Sequence, residues 1–209
     1  MLRRILLTCA AGAVAAAPLT AQSGFGLVGG LVSSNVSFST TLASGVTKSS
    51  RTGGAVGIFI SQRLADKFTI APEALYIMKG YKTSISGLGD GTVKSSYIEV
   101  PVLFRYTLAG SGDTHFFVTA GPEVSFKLTC KNQFGGLPSS DCNLANDPTS
   151  GIKSTDFGVM FGAGVSYSRF SGSVRYDAGL TNISRDNTSG ATTIKNRAIL
   201  ALVGISFGK

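Results

Sequence analysis

At 209 residues the chain has room for a leader and one domain. Only 14% of it is charged against 43% hydrophobic, well below the roughly 25% charged share of a soluble domain, which argues against an ordinary water-facing surface. The formal net charge is +8, yet basic and aromatic residues cluster on no single element, so there is no case for a nucleic-acid partner.

Residues 1–21 read as a secretory signal peptide, leaving 22–209 as one domain. Arg3 and Arg4 give the positive start, and Ile5 to Ala17 is an apolar run too short to span a bilayer as a helix. Pro18 breaks the run, and cleavage is expected after Ala21. Leu6-Leu7-Thr8-Cys9 resembles a lipoprotein box but comes before the apolar run has finished. No later segment holds 18 consecutive apolar residues. An exported chain without a spanning helix is either soluble and periplasmic, or a barrel.

Eight segments of period two follow, at about 24–38, 51–62, 67–81, 94–108, 114–129, 154–168, 171–183 and 194–207. The first is blurred by glycines. Its Gly24-Phe-Gly-Leu-Val-Gly29 has the spacing of a dinucleotide loop, but no strand precedes it and no helix follows, so it is read as a strand. In the fourth, Ile98, Val100, Val102, Phe104 and Tyr106 alternate with Tyr97, Glu99, Pro101, Leu103 and Arg105. In the fifth, Phe116, Val118, Ala120, Val124 and Phe126 oppose Phe117, Thr119, Gly121, Glu123 and Lys127. The sixth sets Phe157, Val159, Phe161 and Val165 against Gly158, Met160, Gly162 and Gly164, and the last sets Ile199, Ala201, Val203 and Phe207 against Ala198, Leu200, Leu202 and Gly204.

Long polar connections are expected at 39–50, 82–93, 130–153 and 184–193, with short ones near 63–66, 109–113 and 169–170. This alternation of loop length is the pattern of an outer-membrane barrel, with long loops outside and short turns in the periplasm. The fold class is therefore all-β, an eight-stranded antiparallel up-and-down transmembrane β-barrel whose ends both lie on the periplasmic side.

Strand-borne ions fall mostly on the face away from lipid: Glu73, Lys79, Glu99, Arg105, Glu123, Lys127, Arg175 and Asp177. A charge facing lipid near the midplane costs about 2–4 kcal/mol for Arg or Lys. Four acids and four bases would pair in a lumen about wide enough for side chains alone, and Gly158, Gly162 and Gly164 would make room for Arg105 and Arg175. Pro72, Pro101 and Pro122 lie inside strands and are expected at bulges or strand ends. Cys130 and Cys142 form an even pair in the exported chain and are expected to close the longest loop. His115 is the only histidine, and two cysteines beside it in the count make no metal set. No catalytic, cofactor-binding or metal-binding constellation is read from the sequence. His115 with Asp113 and Ser111 is the sole hint of a hydrolase.

The run Tyr97-Ile-Glu-Val-Pro-Val-Leu-Phe-Arg-Tyr106 resembles the fourth strand of the outer membrane protein β-barrel domain family, which includes PorT-like and OmpX- and OmpA-like small barrels. In the same order, Pro72-Glu-Ala-Leu-Tyr76, Ala120-Gly-Pro-Glu123, Asp156-Phe-Gly158 with Gly162-Ala-Gly-Val165, and Arg175-Tyr-Asp-Ala-Gly-Leu-Thr-Asn-Ile183 resemble its third, fifth, sixth and seventh strands. The resemblance implies an integral barrel embedded in outer-membrane lipid. It also implies insertion by the barrel assembly machinery with periplasmic chaperones. The family's terminal strand ends on an aromatic assembly signal. Here Phe207 takes that place, followed by Gly208 and Lys209.

The expected role is structural or interactive: a monomer in the bacterial outer membrane, not an enzyme, its lumen plugged by paired charges and its loops open to an extracellular partner. The alternatives are a narrow porin-like channel or small-solute carrier, a membrane-bound hydrolase using His115, and a soluble lipocalin-like barrel.

Overall fold

A strand with oil on one side and an enclosed interior on the other must alternate, and a sheet exposed to lipid must leave no edge unpaired. In the computed structural model, which describes residues 23–40, 44–143, 151–186, 188 and 191–207, the alternating segments form a ring of eight antiparallel strands. The expected leader lies outside the described residues. The strands are β1 (Ser23–Phe38), β2 (Val46–Ala65), β3 (Phe68–Ile85), β4 (Gly89–Ser111), β5 (Thr114–Phe134), the two-residue β6 (Ser140–Asp141), β7 (Thr155–Tyr167), β8 (Phe170–Gly179) and β9 (Ile194–Phe207). Each long strand pairs with the next, β5 with β7 across the loop that carries β6. The ring closes where β9 lies along β1, from Phe25↔Phe207 to Phe38↔Ile194.

One end of the ring has tight turns. The turn between β4 and β5 needs Gly112 at φ 55, a left-handed conformation that suits glycine. Ser168, at φ 51, takes the same region between β7 and β8 and donates its N–H to the Asp113 carbonyl of the neighbouring turn at 3.1 Å. Both ends of the ring-forming chain lie at this turn end.

The other end is uneven. β2, β3, β4 and β5 have 20, 18, 23 and 21 residues, whereas β7, β8, β9 and β1 have 13, 10, 14 and 16. Half of the wall therefore rises beyond the rest as a four-stranded sheet. The expected long loop at 82–93 is corrected here. Tyr81 to Ile85 pairs with Gly89 to Val93, and only a short turn at 86–88 remains unpaired. Residues 46–50 and 130–134 are likewise strand. β8 is shorter than expected, ending at Gly179 rather than 183.

The prolines also differ from expectation. Pro72 stands in register with Val102, Pro101 with Glu123 and Pro122 with Val159, all well inside their strands. The register shifts fall elsewhere, between Ser50 and Ala55, Arg63 and Ala65, Ser96 and Tyr97, and Thr107 and Ala109. Each residue of an antiparallel strand bonds one neighbour only, so a proline removes a single ladder bond and the strands can step past it equally. At the shift in β2, a side chain replaces the ladder. Ser34 Oγ donates to the Gly80 carbonyl and accepts from the Gly80 N–H, both at 2.9 Å.

Candidate functional site: the barrel wall, interior and outer mouth

The outer face carries the apolar members of every alternation. Leu27, Leu31, Val56, Ile58, Phe104, Val118, Val174, Ile199 and Val203 are all exposed. At the turn end, aromatic side chains ring this belt. Phe25 lies 5.5 Å from Phe207 and Phe68 lies 4.8 Å from Tyr106, with Phe116, Tyr167 and Phe170 nearby in the wall. Toward the other end stand Tyr76, Phe126, Phe157 and the Phe161–Tyr176 pair at 5.4 Å. An apolar band between two aromatic girdles is the outer surface of a transmembrane barrel.

Inside, Glu73, Lys79, Glu99, Glu123, Arg175 and Asp177 are buried. Lys79 lies between Glu99 and Asp177 and contacts both carboxylates. Arg175 reaches across the lumen to Glu73 with a two-pronged contact, 2.6 Å from Nη1 to Oε2 and 3.1 Å from Nη2 to Oε1. Among the described residues, no carboxylate contacts Arg105. Its guanidinium lies over the Phe117 ring at 4.1 Å, and its Nε has no hydrogen-bond partner. Lys127 stands at the outer mouth, bound to Asn143 Oδ1 at 3.1 Å and to the Ile152 carbonyl at 2.5 Å.

The equal count of acids and bases is not an equal distribution. Glu99, Glu123 and Asp177 bring carboxylate oxygens within 4.8 Å of one another around the single ammonium of Lys79. Among the described residues, Glu123 Oε2, Asp177 Oδ1 and Glu99 Oε2 lack a hydrogen-bond partner, while Glu99 Oε1 meets the Lys79 ammonium. A further buried acid, Asp156, was not singled out in the sequence, although the parity of β7 points it inward. It accepts from Thr181 Oγ1 at 2.5 Å and from Asn196 Nδ2 at 2.8 Å.

The interior is not ionic throughout. Val28, Val32, Phe59, Leu75, Leu103, Met160, Leu200 and Leu202 form a buried apolar cluster beside the ions. These apolar side chains pack as any core does. The inward glycines sit where long side chains cross. A Cβ on Gly162 would lie 3.0 Å from Arg175 Cγ, one on Gly158 would lie 2.7 Å from Glu123 Oε1, and one on Gly164 would lie 2.5 Å from the Phe117 ring under Arg105.

Chain crosses the outer mouth of this interior. Ile152 and Ser184 form a β-bridge, Lys153 N–H donates to the Ile183 carbonyl at 2.7 Å, and Arg185 N–H donates to the Gly151 carbonyl at 3.2 Å. Ile183 is buried, and Ile152 packs on the apolar cluster. Beside it, Cys130 and Cys142 form a disulfide with Cα atoms 5.4 Å apart. The bridge ties β5 to the segment that includes β6. At the opposite end, Ser111, Asp113 and His115 are exposed around one turn, with the His115 ring against Gly110.

A closed antiparallel ring, a lipid-facing belt and an ion-bearing interior define an integral membrane β-barrel. Residues 19–185 match the family described as the outer membrane protein beta-barrel domain, and the chain belongs to that family. It is a protein of the bacterial outer membrane. Its fold is similar to that of the outer membrane protein OprG from Pseudomonas aeruginosa, with a TM-score of 0.50 and 14% identity over 90% of this chain and 98% of that one. Neisserial surface protein A is also similar (TM-score 0.47, 13% identity, 88% and 97% of the two chains). So is Ail, the attachment invasion locus protein of Yersinia pestis (TM-score 0.43, 11% identity, 89% and 99%). No curated protein matches the chain.

Proposed function

We propose that the protein is a monomeric structural and interaction barrel: a filled, non-conducting cylinder that presents a rigid extracellular platform to a partner outside the cell. The observation that carries this reading is the state of the interior. Arg175 spans the lumen to Glu73, Lys79 lies between two carboxylates, and Ile152 and Ile183 cover the mouth. Eight strands leave no water-filled channel once such side chains are in place.

The platform is the raised half of the wall, β2 to β5, with the segment tied by Cys130 and Cys142. A sheet and a disulfide hold these surfaces in one shape, which lowers the ordering cost of binding. The closed ring leaves no open edge within the membrane, which supports a monomer. Phe207 ends β9 on the lipid side against Phe25, where the barrel assembly machinery, supplied by periplasmic chaperones, would read it as the chain closes. No step in this role is catalytic.

Planar-bilayer recording tests the reading. The refolded protein is expected to give no steady conductance, and Arg175→Ala with Glu73→Ala is expected to open small conductance events. A stable open channel in the unmodified protein would contradict the proposal and favour the solute-carrier alternative.

A further inference from the structure

Beyond the interior, the outward face of the wall carries a feature at the foot of the raised sheet that lumen filling does not use. Lys94 on β4 and Lys131 on β5 stand directly opposite each other. Both are exposed, and both lie on the outward face, because their neighbours Ser95 and Cys130 are buried inward. Lys82, exposed on the outward face of β3, lies diagonally across from Lys94, whose register partner is Gly80. Like charges directly opposite in a sheet repel and destabilise the pair. Lys94 reaches Gln133 Oε1 at 3.1 Å and Lys131 reaches Asp141 Oδ1 at 3.0 Å, so each ammonium keeps donors to spare.

Just below these lysines runs a row of hydroxyls. Tyr76 Oη and Thr129 Oγ1 each lie 3.2 Å from Ser96 Oγ. Below that row the lipid-facing belt begins, with Ile98, Val100, Val102 and Phe104 on the same face of β4. The cluster therefore sits where acyl chains give way to headgroups on the outer side. On the far wall Arg197, also exposed, bonds Tyr176 Oη at 3.2 Å just above Ile199. This second tyrosine–cation pair lies at the same kind of boundary.

We propose that Lys82, Lys94 and Lys131, with the hydroxyls of Tyr76, Ser96 and Thr129, form a binding site for the phosphate groups of a phosphorylated glycolipid of the outer leaflet. Three ammonium groups and three hydroxyls match a phosphate's charge and its several acceptor oxygens. An anion between Lys94 and Lys131 removes their repulsion. The belt continuous with the site selects an acylated ligand over a free anion. The inference needs only the membrane position of the barrel and is independent of the proposed partner-binding role.

The test is calorimetric titration of the full chain, refolded in mixed micelles, with diphosphorylated lipid A and with the same lipid stripped of phosphate. Removal of phosphate is expected to weaken binding about tenfold or more. Lys94→Gln with Lys131→Gln is expected to lose about the same factor, whereas Lys67→Gln at the turn end changes nothing. Inorganic phosphate at equal concentration is expected not to compete. Equal affinity for the two lipids, an unaffected double variant, or displacement of the lipid by inorganic phosphate would each overturn the proposal. The comparison of the two lipids uses the unaltered protein, so it stands even if a variant fails to refold.

Discussion

Arg175 and Glu73 share the one two-pronged ion pair described in the interior, and both are buried. Removing one partner from such a pair strands a charge in a low dielectric, at a cost of about 3–5 kcal/mol. Arg175→Met is therefore expected to lower sharply the temperature at which the folded band converts to the unfolded band on detergent gels. Adding Glu73→Gln is expected to restore much of the loss. A double variant no more stable than Arg175→Met would show that the pair does not act as a unit. Arg105 makes a contrast, since it rests on Phe117 without a carboxylate in contact. Arg105→Met is expected to cost only about 1 kcal/mol, read in the same assay. The inward parity of both arginines was legible from the two-residue repeat. Which acid each one meets was not, because partners across a closed ring depend on strand tilt and stagger. For the same reason the crowding of Glu99, Glu123 and Asp177 around Lys79 could not be seen in a balanced count of charges.

Among the elements, the strands that sequence reading located best are those with one oily face. β9, with Ile199, Ala201 and Val203 outward against Leu200 and Leu202 inward, ends where expected. The raised parts of β2 to β5 resemble loops in the sequence because strands standing in water are polar on both faces. Thr83, Ser84, Gly91 and Thr92 carry no alternation to follow. The prolines misled in the opposite sense: composition marks a missing donor but not which ladder loses it. Because the hairpin around 86–88 stands clear of the belt, replacing residues 83–91 with a two-residue turn is expected to leave a heat-modifiable barrel. Loss of the folded band would mean that the hairpin helps to form the wall. The Cys130–Cys142 link closes a short loop and is expected to contribute about 3 kcal/mol to the order of that segment. Replacing both cysteines with serine is expected to speed proteolysis within 135–154 while the barrel band persists. An unchanged cleavage rate would show that β6 and its hydrogen bonds hold the segment without the bridge.

At the scale of the whole molecule, the direction in which each side chain faces decides what meets lipid. The apolar belt faces outward, and the inward residues include buried ions beside a packed apolar cluster. The chain contains no tryptophan, so single tryptophans report without background. Phe104→Trp and Val203→Trp probe the exposed belt, and Tyr97→Trp probes the buried interior. The deciding measurement is quenching of each tryptophan in vesicles whose acyl chains carry bromine. Strong quenching at 104 and 203 with little at 97 is expected; equal quenching at all three, or recovery of the unlipidated chain as a water-soluble monomer, would contradict the account.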